Sequence, residues 1–234
     1  MNLDNFGMDT ITLAGPLEAK LSAIRGAGFT QVMLNAGDIV GHPDGERAAI
    51  EAVRASGLRV TGFQVLRGFE GLADHLHAYK VDVAKAMIQM CYALGSEVLL
   101  ACSSTSAHAT GDAAVLTSDL QKLAMLAVPF GIRVAYEALS CGRYVNEYPQ
   151  AWEIVQNADR SNLGLCLDSF HILASRTNLG ALGDIDPNKI FLVQISDFLW
   201  QEVRSPEDRI DTARHYRVFP GEGGHSSELA GLTR

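Results

Sequence analysis

The sequence predicts an α/β fold in which strand and helix alternate about seven times, a (β/α)8 barrel rather than a doubly wound sheet. Three observations carry this. A helix-like segment, a glycine and a short apolar run recur at Gly28, Gly57, Gly95 and Gly131, in the joints IRGAG-FTQVML, VRASG-LRVTGF, CYALG-SEVLL and AVPFG-IRVAYE. The runs after each glycine are short, continuous and rich in β-branched residues, as in strands covered on both faces of a parallel sheet. No G-x-G-x-x-G or phosphate-binding loop follows any strand, and polar residues fall at many strand ends rather than at one crevice, which favours the barrel.

Taken in order, strands are expected near 8–13, 30–34, 58–65, 97–102, 132–137, 163–168 and 190–196. Helices are expected near 16–27, 44–56, 76–94, 113–129, 147–158 and 176–183, with a less regular stretch at 200–215. Pro16 and Pro149 stand where helices begin, the position proline tolerates best. Glycine at a helix-to-strand joint suits a left-handed C-cap. The last two joints, Asn162-LGLCLD-Ser169 and Asn188-KIFLVQIS-Asp197, keep the rhythm without it.

Composition narrows the function. The chain has 234 residues, 47% hydrophobic and 20% charged, with a net charge of −8. That is an ordinary globular composition with ample length for one core. The acidic balance and the lack of any basic run argue against a nucleic-acid partner. No apolar stretch is long enough to span a bilayer, so no membrane is expected. The N-terminus is acidic and has no apolar core, unlike a signal peptide. Cys91, Cys102, Cys141 and Cys166 are irregularly spaced, which predicts free thiols and a reducing, cytoplasmic setting.

The strand ends carry the chemistry. Glu137, Asp168 and Gln194 each close an apolar run (RVAYE, LGLCLD, FLVQ). A carboxylate there is costly unless it is paired or metal-bound. Three such groups converging from neighbouring strands make a candidate divalent-metal site, and an all-oxygen set favours Mg²⁺ or Mn²⁺ over zinc. For any one of them, a helix cap or an ion pair with arginine is an equally good reading. His171, three residues after Asp168, is as well read as a structural hydrogen-bonding group as a functional one. Gln64, Arg67 and Glu70, Arg143, and Arg217 beside the Pro-Gly-Glu-Gly turn are further loop or strand-end residues. Arginine can bind a carboxylate or phosphate bidentately. Ser103 and Ser104 are weak hydroxyl-binding candidates. His42, His75, His77 and His108 read as surface or loop residues without a role.

The segments YEALSCGRYVNEYPQAWEIVQNADRSNLGLCLDSFHILA, KIFLVQISD and RHYRVFPGEG resemble the xylose isomerase-like TIM barrels, the superfamily of sugar phosphate isomerases and epimerases. With FQVLRGFEG, they are most similar to the bacterial 3-dehydroshikimate dehydratases. The resemblance covers nearly the whole chain, as one domain over 1–234. It implies one divalent cation (Mg, Mn, Co or Zn) held by Glu137, Asp168 and Gln194. It also implies substrate contact by His171, Arg217 and Arg67, beside Gln64 as the strand-end candidate for substrate binding, and proton chemistry next to a carbonyl. Glu137 would be ligand and base, and His171 would contact a hydroxyl or transfer a proton. The outcome would be an isomerase, an epimerase or a dehydratase acting on a small polyhydroxylated molecule. The family's fourth ligand is a Glu ending strand eight, and no matching segment is present, so the barrel is expected to be truncated before that strand, incomplete at its C-terminus. The alternative is a non-catalytic or truncated barrel that binds a small ligand or needs a partner chain. Barrels of this kind often associate, so a homo-oligomer is a further expectation.

Overall fold

A computed structural model describes residues 3–199 and 203–232. Seven parallel strands form one sheet in sequence order: β1 (Gly7–Asp9), β2 (Gln31–Asn35), β3 (Arg59–Arg67), β4 (Val98–Cys102), β5 (Arg133–Glu137), β6 (Leu163–Asp168) and β7 (Ile190–Gln194). Between them run α1 (Leu17–Gly26), α2 (Ala36–Val40), α3 (Glu46–Ser56), α4 (Asp74–Ala93), α5 (Ala113–Ala127), α6 (Tyr148–Ala158) and α7 (Ser169–Ala174). The two short strands β8 (Asp197–Phe198) and β9 (Arg217–Val218) pair antiparallel and flank α8 (Pro206–His215), and α9 (Ser226–Leu232) follows. The expected strand-helix alternation and strand order are present. Among the described residues β1 and β7 are the two edges of the sheet.

The strands separate two cores, as period-two alternation requires. Leu99, Ala101, Val134, Tyr136, Leu163, Leu165 and Leu167 face outward into the main core beneath the helices. Val98, Leu100, Cys102, Ala135 and Cys166 face inward with Met33 and Leu139. The sheet curls enough for Gln194 on β7 to reach Met33 on β2, Nε2 to Sδ, at 3.3 Å. The four predicted joint glycines all have positive φ, 88°, 69°, 72° and 66°. Only glycine adopts this without steric cost. Pro16 precedes α1 directly. Pro149 lies in the first turn of α6 beside a Glu147/Gln150 capping box.

Four boundaries differ from expectation. β1 stops at Asp9 rather than residue 13, because the Asp9 carboxylate accepts the Ile11 N–H and turns the chain into a 3-10 turn at Thr10–Thr12. The helix expected at 176–183 is instead α7, packed directly against β6, and a 3-10 turn at Leu179–Asp184. Arg176 lies between them at φ 55°, and Gly180 and Gly183 weaken α-helix in the second piece. β7 ends at Gln194, after which the Ser196 N–H turns to the Ser169 hydroxyl. Of the stretch 200–215, residues 200–202 lie outside the described residues and the rest contains α8. His42 lies in the loop between α2 and α3, where it is buried and pairs with Glu18 at 2.9 Å. All four cysteines are free thiols, three of them buried. No helix among the described residues is long and apolar enough to cross a membrane.

Candidate metal and substrate site

β5 and β6 end side by side and point Glu137 and Asp168 inward at the C-terminal mouth of the sheet. β6 runs straight into α7, whose N-cap is Asp168 itself, accepting the Phe170 N–H at 2.8 Å. That short link swings His171, one turn on, over the same space. Glu137, Asp168 and His171 are all buried, and one ligand atom from each lies within 4.8 Å of the others.

Each side chain is held differently. The Cys102 thiol, in register with Glu137, donates to Oε2 at 2.7 Å. Glu137 Oε1 is buried with no hydrogen-bond partner. Burial, and then the neighbouring Asp168 charge, push the Glu137 carboxyl up to about 8. Burial alone would raise Asp168 as well. The Arg217 guanidinium, 2.8 Å from Oδ2, leads a set of contacts, the Phe170 N–H among them, that together overcome burial and hold this carboxyl below the usual range. Opposed shifts are what two carboxyls sharing one buried site produce, the one beside the arginine staying ionised and the other holding its proton. An orphaned buried carboxylate oxygen within reach of a second carboxylate fits a divalent cation. Gln194 ends the next strand, in register with Asp168.

His171 accepts the Ser140 backbone N–H on Nδ1 at 3.0 Å, with the Ser140 hydroxyl at 2.9 Å. The ring proton of the neutral form therefore sits on Nε2. Burial pushes the group down to about 4, so it is neutral near pH 7. Nε2–H lies at the site beside a second donor, Arg217 Nη2 at 3.4 Å, so the two groups together can meet an incoming oxygen. Arg217 extends from β9 and lies over the Phe170 ring at 4.4 Å, which fixes the plane of its guanidinium. Arg67, at the end of β3, is exposed at the mouth and near enough for its charge to bear on His171 and Cys102.

The remaining expectations separate. Gln64 is buried and turned toward β1, where its amide donates to Asp9 Oδ2 at 2.5 Å. Gln194 is half-buried and its amide nitrogen rests on Met33. Ser103 and Ser104 are occupied inside the protein: the Ser103 hydroxyl accepts the Leu139 N–H, and the Ser104 N–H goes to Glu70. Asp197, on β8, holds the Pro-Gly-Glu-Gly turn in place: it accepts N–H groups of Gly221, Gly223 and His225 and pairs with the His225 ring at 2.7 Å. Glu222 is exposed on that turn. Sequence reading missed Asp9 because the expected strand ran through it. It also missed Ser140, whose backbone contact with His171 leaves no trace in spacing.

A family model described as xylose isomerase-like TIM barrel matches residues 21–230. The chain is 39% identical over 224 residues to a 3-dehydroshikimate dehydratase of Pseudomonas aeruginosa, covering 95% of this chain and 34% of that protein. It is 33% identical over 150 residues to an inosose isomerase of Bacillus subtilis, covering 59% of this chain and 49% of that protein. A solved xylose isomerase-like TIM barrel/4-hydroxyphenylpyruvate dioxygenase fusion protein superposes with a TM-score of 0.89 at 35% identity, covering 97% of this chain and 36% of that one. The chain thus spans about a third of the length of the Pseudomonas relative and of the fusion protein.

Proposed function

The chain belongs to the xylose isomerase-like TIM barrel family, and from that premise we propose that it is a divalent-metal-dependent enzyme that moves a proton next to a carbonyl. The favoured reaction is dehydration of 3-dehydroshikimate. The observation that carries this reading is the buried Glu137–Asp168–His171 cluster with its unpartnered Glu137 oxygen. Glu137, Asp168 and Gln194 would hold the ion, and an oxygen set of this kind favours Mg²⁺ or Mn²⁺. The bound ion would supply Lewis-acid polarisation of the substrate carbonyl.

The rest is done by this chain's own groups. Glu137 takes the proton from the carbon beside the carbonyl, a contribution worth about 10²–10⁴-fold. His171 offers Nε2–H to a substrate oxygen, because Ser140 holds the other ring nitrogen. Arg217 and Arg67 draw an anionic group into the mouth, and Gln64, bonded to Asp9 at the end of β1, adds a polar group beside them. Expulsion of a hydroxyl as water gives the dehydratase outcome. Return of the proton to another carbon gives the isomerase outcome, which the similarity to the inosose isomerase favours as second reading. A third reading is a barrel completed by other polypeptide. Val193 on the β7 edge, 52% exposed, supports it.

The test is incubation of the metal-loaded protein with 3-dehydroshikimate while following the absorbance of an aromatic product. Appearance of that absorbance supports the dehydratase. Its absence, with solvent deuterium entering an inosose, selects the isomerase. Neither signal on any such ketone overturns the enzyme reading.

A further inference from the structure

Asp9 is a carboxylate of this chamber that neither the metal cluster nor an arginine contact uses. β1 and β6 are not neighbours in the sheet. The curl nevertheless brings Asp9 close enough for the charges of Arg217 and Asp168 to bear on it. The side chain is fixed from two directions. The Ile11 N–H donates to Oδ1 at 3.0 Å, and the Gln64 amide donates to Oδ2 at 2.5 Å. Gln64 is itself buried, so the clamp is rigid. Each oxygen accepts one hydrogen bond and keeps lone-pair capacity for another. Directly in register across β2 stands Met33, whose thioether offers no hydrogen-bond donor of its own. The β2 residue beside it thus supplies no second donor to Asp9.

We propose that Asp9 is the hydroxyl-binding, specificity-determining carboxylate of this site, accepting a hydrogen bond from one substrate hydroxyl at the β1 side of the mouth. The proposal rests on the reading of the site as that of an enzyme for small polyhydroxylated ketones. It adds which protein group counts the hydroxyls. Burial pushes this carboxyl up to about 6, so it is largely ionised near neutral pH and is an acceptor there. A desolvated acceptor is satisfied when the substrate brings an O–H and left short when it does not. A site built to hydrogen-bond a hydroxyl discriminates strongly against the analogue that lacks it.

The experiment compares the chain and its Asp9→Ala and Asp9→Asn variants on a hydroxylated ketone (3-dehydroshikimate or an inosose) and on its monodeoxy analogues. Both kcat/KM and calorimetric binding are measured. For the unsubstituted protein, at least one deoxy analogue should be poorer by about 10²-fold or more. Asp9→Ala should lower kcat/KM for the hydroxylated ketone by about 10²-fold and leave that deoxy analogue within about threefold, so that discrimination collapses. Asp9→Asn keeps one acceptor oxygen and the shape, and should retain an intermediate preference. Near-ultraviolet circular dichroism checks that both variants are folded. Equal losses on both substrates would show a structural role for Asp9 and overturn the proposal, as would no loss on either. The enzyme reading survives both of those outcomes. It falls, and this proposal with it, if the unsubstituted protein neither binds nor turns over any of these ketones.

Discussion

Glu70→Gln is a perturbation whose magnitude follows from geometry. Glu70 sits in the loop after β3, 2% exposed. Its Oε1 accepts the Ser104 N–H at 2.5 Å and the Tyr136 hydroxyl at 3.1 Å, while Oε2 is buried without a partner. Burial pushes the carboxyl from its ordinary 4.5 to about 7. A carboxyl that binds its proton more tightly folded than unfolded contributes stability that is complete below the unfolded value and lost as pH rises through the folded one. The window from 4.5 to about 7 corresponds to roughly 3 kcal/mol, at about 1.4 kcal/mol per pH unit. Glutamine keeps the acceptor for Ser104 and Tyr136 but cannot ionise. Its buried amide nitrogen costs about 1–3 kcal/mol, independent of pH. Urea unfolding of both proteins near pH 5 and near pH 8 isolates the effect. Between those pH values the stability difference should move by about 2–3 kcal/mol in favour of the variant. A difference that stays constant to about 0.5 kcal/mol would refute the reasoning.

Two further substitutions probe the site's supports. Arg217→Met should destabilise the protein by about 3 kcal/mol, the lower end for breaking a buried pair, because Asp168 (side chain 2% exposed) loses its cation while Arg217 is itself 27% exposed. It should also raise KM for an anionic substrate; unchanged urea midpoint and KM would contradict both roles. Gly142→Ala should cost about 1–3 kcal/mol, because a Cβ there meets the Val145 carbonyl oxygen, Ser103 Oγ at 2.6 Å and the Leu139 carbonyl oxygen at 2.9 Å. An unaltered melting temperature would show that the loop carrying Ser140 yields freely.

What the sequence made legible was what repeats. The glycine joints located the helix-to-strand turns, and the apolar runs located six of the seven strands closely, because both depend on local backbone and burial. Glu137 and Asp168 were legible as carboxylates closing buried runs, and the structure brings them together. His171 was placed near them by its spacing from Asp168. Its neutral state and its donor nitrogen depend on Ser140, 31 residues earlier on another strand's loop, and no local pattern encodes that contact. Asp9 was hidden by a boundary. Its own side chain ends β1 by capping the next turn, so an apolar-periodicity reading carried the strand past it. Ser103 and Ser104 show the converse: a serine cluster at a strand end that the fold consumes internally.

Divalent-metal binding to the chain and to its Glu137→Gln variant, followed by calorimetry with Mn²⁺ and by metal analysis after gel filtration, tests the central claim most directly. The account predicts one ion per chain in the unsubstituted protein and loss of that ion in a variant that remains folded, because Glu137 Oε1 is a buried, unpartnered acceptor within reach of Asp168. Failure of the unsubstituted protein to bind the ion, or equal binding by the variant, would contradict it.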